Sequence, residues 1–339
     1  MGKSFYLDKT GKTVLDATRF EKAGSFSEGL APVDVRMKGW GYIDKTGAWV
    51  IPPQFESTLG FSEGLAAVLL EDKWGFINKT GTLVIENQFD WVGEFHEGVA
   101  VVIRSSKPKR PKLVIPKGTK PKIEIIHEVW DLSSDSAKDK EDDSECLVID
   151  TKGQILVNLT QRKLDVNIDD ARFSEGLLCV YNENKAGYID KNWEFVIPPK
   201  FEDARPFSEG LARVATTDNE MQKLGFIDKH GDLVIPPKFN TDFDLQRNSS
   251  NFSEGLAAVS EGLNPSRMKE STFVYINKAG EIVITSEFFS AGEFRDGLAT
   301  VYNENTSRWG FIDKSGKVII AVKYRMVSDF SEGLALVNL

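Results

Sequence analysis

Residues 40–68 read WGYIDKTGAWVIPPQFESTLGFSEGLAAV. Trp40 to Asp44 form a short aromatic and β-branched run, which favours a strand. Asp44-Lys45-Thr46-Gly47 suits a tight hairpin, because Asp opens the turn and Gly accepts positive φ at its end. Trp49-Val50-Ile51 is the returning strand, and Pro52-Pro53 stops it, since proline cannot donate to a ladder. Phe55 and Phe61 stand as apolar anchors on either side of a turn, and Leu65-Ala66-Ala67-Val68 is a third short strand. The stretch predicts a unit of strand, hairpin, strand, loop and strand.

The same frame returns along the chain. It is WGFINKTGTLVIENQF from Trp74, AGYIDKNWEFVIPPKF from Ala186, LGFIDKHGDLVIPPKF from Leu224 and WGFIDKSGKVIIAVKY from Trp309. Weaker copies start near Ser4, Cys146 and Phe273. Phe-Ser-Glu-Gly-Leu begins at Phe26, Phe61, Phe173, Phe207, Phe252 and Phe330, with the variants FHEGV at Phe95 and FRDGL at Phe294. Four of the seven spacings are 34 to 36 residues and the others are 42, 45 and 78, each traceable to an insertion. Eight units result, at about 4–35, 40–70, 74–103, 146–181, 186–215, 224–260, 273–302 and 309–339.

No unit of this size buries its apolar face alone, so neighbours must stack. Each large side chain so buried contributes roughly 1.5–3 kcal/mol. The glycine of Trp-Gly is expected to let a backbone or an aromatic ring approach closely. The expected fold is all-β: a tandem array of eight three-stranded repeats forming an open curved or superhelical solenoid. A closed, propeller-like toroid is the alternative. It would explain why neither terminal unit is a polar cap of the kind open arrays need.

The pattern resembles the WG-repeat (KWG-repeat) family, found mostly in bacterial proteins. The motifs that carry the resemblance are Trp40-Gly41, Trp74-Gly75 and Trp309-Gly310, then I-[DN]-K-x-G, V-I-P-P-x-F and F-S-E-G-L. They cover the chain from Phe5 to Val337 apart from insertions. Ala186-Gly187, Leu224-Gly225, Phe273-Val274 and Cys146-Leu147 depart from the Trp-Gly pair. The resemblance implies interaction or scaffolding rather than a reaction.

Composition narrows the function further. The 339 residues hold 42 Lys and Arg against 51 Asp and Glu, a net charge of −9. That balance argues against a nucleic-acid binder. Two cysteines, Cys146 and Cys179, cannot make a disulfide framework and read as small buried residues in a reducing compartment. Without a signal-peptide pattern or an apolar run of membrane length, the chain is expected to be cytoplasmic.

The Ser-Glu of FSEGL recurs eight times with variants, and a catalytic site needs one unusual environment, so it reads as a turn element. His96 and His230 read as exposed substitutions within the repeat rather than metal ligands. Gly2-Lys3-Ser4 lacks the glycine and strand of a phosphate loop. No cofactor, metal or catalytic residue is expected, and the chain is not read as an enzyme.

Insertions are the better place to look for function. The connection from third strand to next first strand lengthens between Val102 and Cys146, Val214 and Leu224, Val259 and Phe273, and Val301 and Trp309. A second class follows the second strand, around 161–171 and 241–251. The largest insertion, 104–145, is segregated by charge. Arg104, Lys107, Lys109, Arg110, Lys112, Lys117, Lys120 and Lys122 come first, and an acidic stretch follows. These residues, with Trp130 as an anchor, are the candidate contacts to an acidic protein partner. The expected function is a non-catalytic protein-interaction scaffold; the alternative is a carbohydrate or cell-wall module using exposed repeat aromatics.

Overall fold

A computed structural model of the chain describes residues 3–105, 144–218, 221–240, 251–261, 272–285 and 288–339. The described residues form eight antiparallel sheets, seven of four strands and one of three. Blade 1 runs Lys22–Ala23, Leu30–Val35, Gly39–Asp44 and Trp49–Phe55 in spatial as in chain order. Blades 2 to 7 repeat this plan from Ser57, Trp91, Phe173, Asp203, Ala257 and Ser290, the sixth lacking a first strand among the described residues.

Blade 8 is composite. Met326–Val327 and Leu334–Asn338 from the end of the chain join Ser4–Asp8 and Thr13–Asp16 from its start. Ser4 lies opposite Asn338 and Asp8 opposite Leu334 in unbroken antiparallel register. The open solenoid of three-stranded units expected from the sequence is therefore overturned: the array is a closed ring of four-stranded blades. Closure gives the apolar last unit a neighbour and removes any need for a polar cap, the feature that the open reading left unexplained.

The blades do not coincide with the sequence units. Each unit spans two blades, its Trp-Gly hairpin ending one and its FSEGL segment opening the next. The packing explains the offset. Tyr42 of blade 1 lies against Phe61 of blade 2, ring centres 4.9 Å apart, and Tyr6 of blade 8 against Phe26 of blade 1, also at 4.9 Å. Seven of the eight interfaces carry such an aromatic pair, each adding about 0.5–1.5 kcal/mol beyond its buried area. Between blades 3 and 4 the partner of Phe173 is Val148 instead.

The glycine after Trp has a specific task. A Cβ on Gly41 would stand 2.6 Å from the Ile51 carbonyl oxygen and 2.7 Å from Pro53 N. Gly75, Gly187, Gly225 and Gly310 meet the same backbone of their own outer strands. In those five blades the outer strand runs for seven or eight residues. Where Phe5 or Leu147 takes the glycine's place, the outer strand has four, and where Val274 does, four of its residues are described. A side chain at that position would collide with the backbone of the bulged strand, which accounts for the shorter pairing.

Candidate functional site

The FSEGL segment makes a two-residue hairpin. Ser27 and Leu30 exchange backbone hydrogen bonds, and Glu28 and Gly29 have φ of 52° and 86°. Two consecutive positive φ values define a type I′ turn. A glutamate there costs of order 1–3 kcal/mol, which its side chain offsets. The Glu28 carboxylate accepts the Gly64 N–H of blade 2 at 3.1 Å and pairs with Lys79 Nζ at 3.0 Å. The carboxylate-to-glycine bond joins every neighbouring pair of blades, and Glu332 completes the ring on Gly29.

The serine supplies a second fastener. Ser62 Oγ donates to the Phe95 carbonyl of the next blade at 2.5 Å, and five other serines do the same, Ser331 reaching Phe26 across the closure. The Ser-Glu pair is thus a turn element, as read from its repetition, and also the clasp between blades. Burial opposes ionisation of Glu332, but Lys45 and the Gly29 N–H hold its carboxyl below the usual carboxylate range.

Two blades lack the serine. His96 stands there in blade 3 and Arg295 in blade 7, so the carbonyls of Phe173 and Phe330 lose that hydroxyl. The same two blades carry a glutamate just before the phenylalanine, Glu94 and Glu293. At that position blade 4 has Arg172 and blade 8 has Asp329, whereas blades 1, 2, 5 and 6 have the uncharged Ser25, Gly60, Pro206 and Asn251.

This position lies at the axis of the ring. A Cβ on Gly60 would stand 3.6 Å from Ser27 Cβ of blade 1 and 3.8 Å from Glu94 Oε1 of blade 3, so three successive blades meet there. Arg172 feels the charges of Glu293 and Arg295, which belong to a blade three places away.

The axial groups form ion pairs within and between neighbouring blades. Arg295 Nη2 lies 2.9 Å from Glu293 Oε2, and Arg295 Nε 3.9 Å from Asp329 Oδ2. His96 Nε2 is 3.8 Å from Glu94 Oε2, and Arg172 Nη1 3.5 Å from Asp170 Oδ1. Burial raises the Glu94 carboxyl, with Arg172 opposing, and raises Asp329, with Arg295 opposing. Burial lowers His96 and Arg172. Asn251 is buried, and its Oδ1 has no hydrogen-bond partner among the described residues.

Of the site residues expected from sequence, Arg104 is described, and its guanidinium is paired with Glu145 at 3.0 Å. Lys107, Lys109, Arg110, Lys112, Lys117, Lys120, Lys122 and Trp130 lie outside the described residues. Of the two histidines read as exposed, His230 is so and His96 is half-buried at the axis. The signal for the axis was present in the variants FHEGV and FRDGL, but only the ring shows where their odd residues meet. Trp40, Trp74 and Trp309 are half-buried and lie opposite Phe55, Phe89 and Tyr324 of the outer strands. Trp40 and Trp74 pack partly against core clusters and Trp309 against Tyr302.

Antiparallel order places the FSEGL turns and the Asp-Lys-x-Gly hairpins on one face of the ring. Connections from second to third strand, and from outer strand to next blade, leave from the other face. Both classes of insertion therefore open onto a single face. One expected loop, 214–224, is instead a longer hairpin of Ala212–Asp218 and Met221–Ile227, in register to Asp218 opposite Met221. Among the described residues no cluster of three or more His, Cys, Asp or Glu could hold a metal ion. No helix among them is long and apolar enough to cross a membrane.

A closed ring of eight antiparallel blades, seven of four strands and one with three among the described residues, is an eight-bladed β-propeller. The family of the WG containing repeat matches residues 5–36, 40–74, 74–107, 187–218, 225–262, 275–306 and 309–339, and the chain belongs to that family. The segment left unmatched holds the unit in which Cys146-Leu147 replaces Trp-Gly. No curated protein sequence matches.

Among solved structures, the computationally designed Ika8 protein superposes with a TM-score of 0.51 at 9% identity, over 94% of this chain and 98% of Ika8. That likeness is one of fold alone. Kluyveromyces lactis Hsv2 gives 0.39 at 8% identity over 74% of this chain and 71% of its own. Apo AztD from Citrobacter koseri gives 0.44 at 12% over 99% and 98%.

Proposed function

We propose that this propeller is a non-catalytic, cytoplasmic platform for protein–protein interaction, and that it engages its partner with the face bearing the long connections. The observation that carries this reading is the segregation of variation. The opposite face repeats one clasped turn eight times, while every expanded connection opens onto the other. Rigid scaffolds commonly place binding residues on variable loops of that kind.

The 104–145 insertion leaves this face at Ser105 and returns at Ser144, which lie opposite each other in a ladder. Its basic run, Lys107 to Lys122, recognises an acidic surface on the partner, with Trp130 as anchor. Half-burial of the Trp-Gly tryptophans leaves the carbohydrate reading without its main support.

The test is capture of cross-linked partners by the full chain and by a chain in which 106–143 is replaced by a two-residue turn. The replacement is expected to lose the partner with little change in melting temperature. Joint neutralisation of Lys107, Lys109, Arg110 and Lys112 should mimic it, and salt should weaken capture, since exposed charges are screened beyond about 8 Å at physiological ionic strength. Capture indifferent to both the replacement and salt removes the insertion from the mechanism.

A further inference from the structure

The departures from the repeat at the axis fall in a geometric pattern. In a ring of eight, blade 3 stands opposite blade 7 and blade 4 opposite blade 8. At the positions just before and just after the phenylalanine, ionisable residues occupy those four blades alone, so Glu94, His96 and Arg172 form one arc and Glu293, Arg295 and Asp329 form the other. Blades 3 and 7 give up a clasp hydrogen bond to place a base there, beside a glutamate two residues earlier. Each base gains an ion pair with its own glutamate, at 2.9 Å in blade 7 and 3.8 Å in blade 3, in exchange for the lost clasp. A local rule broken in the same way on two facing blades is the kind of departure expected at a functional site.

Both arcs carry both signs. A lone anion at the axis would meet three carboxylates, and a lone cation two guanidinium groups. We propose that the axis binds a free α-amino acid, its carboxylate held by Arg172 and His96 and its ammonium by Glu293 and Asp329. An arginine fork grips a carboxylate through two parallel hydrogen bonds. An ammonium has three donors, and Asn251 Oδ1, at the same ring position in blade 6, is a buried acceptor with no partner among the described residues. Burial already disfavours the charged forms of Arg172 and Asp329, so each gains when a ligand brings the opposite charge. This site is independent of the partner face proposed above.

The experiment uses the full chain, melted in the presence of each proteinogenic L-amino acid in turn and of its N-acetyl and carboxamide derivatives. At least one amino acid is expected to raise the melting temperature in a concentration-dependent way. Its two derivatives, each lacking one charge, should bind at least tenfold more weakly by calorimetry. Arg172→Gln should weaken binding at least tenfold. His96→Ser restores the consensus clasp, so it should raise the melting temperature of the unliganded chain while weakening the amino acid. The proposal is overturned if no amino acid shifts the melt, if a derivative binds as well as its parent, or if His96→Ser stabilises the chain and leaves binding intact.

Discussion

Gly187 illustrates how one missing atom shapes an outer strand. Its position would put a Cβ 2.7 Å from the Ile197 carbonyl oxygen, and backbone cannot step aside as a flexible side chain can. Leu147, at the equivalent position in blade 3, accompanies an outer strand of only four residues. Gly187→Leu is therefore expected to cost about 1–3 kcal/mol, the usual range for overpacking, and to detach the strand beyond Ile197. Hydrogen exchange at Lys200 and Phe201 should quicken while the inner strands of blade 4 keep their protection. Unchanged exchange at those amides would refute the link between glycine and strand length. The sequence already points to this glycine as a place of close approach. Whether a ring or a backbone approaches is settled only by the bulge.

The hairpins of FSEGL matter as elements because they carry charge between blades. Glu97, Glu254 and Glu332 are each held below the ordinary carboxylate range by a lysine and a glycine N–H from the next blade, against the opposing effect of burial. A carboxyl whose folded pKa is depressed contributes stability that is present above its unfolded value, about 4.3, and lost as pH falls through the folded value. Acid should therefore loosen the clasps below about pH 4. Glu332→Gln should lower the melting temperature at pH 7, and its deficit against the native chain should shrink towards pH 3. A deficit that is constant with pH would mean that the charge of Glu332 is irrelevant. Glu94 and Asp329 act with the opposite sign. Their folded pKa is raised, so their contribution is full in acid and is lost as pH rises through the folded value. Turn chemistry was legible from the Glu-Gly or Asp-Gly of each copy, but the clasp was not, because Glu28 and Gly64 are 36 residues apart.

Closure governs the whole molecule. Phe207 and Phe330 are both buried, each packed against an aromatic ring of the preceding blade. In an open array the terminal copy would lack a neighbour, whereas in the ring both have one on each side. Phe207→Ala and Phe330→Ala are accordingly expected to destabilise the chain by similar amounts, roughly 3–5 kcal/mol each. Denaturant melts in which Phe330→Ala is far milder would show that the closing blade carries little of the stability.

By itself the sequence determined the all-β class, the eight copies, the strands and hairpins of each unit, and the turn role of Ser-Glu. Those follow from residue type and short spacing, through propensity and positive φ. The stop expected at Pro52-Pro53 is overturned: an outer strand pairs on one side only, so it runs through both prolines to Phe55. The tertiary structure alone decided that the array closes and that each blade borrows strands from two units. It also decided that a fourth strand, often only two residues long, completes the blade. Closure depends on a rotation accumulated over eight blades and on pairing Phe5 with Val337, which no local pattern encodes. The axial cluster has the same origin. His96 and Arg295 are single departures 199 positions apart, and they become one site only because blades 3 and 7 face each other across a closed ring.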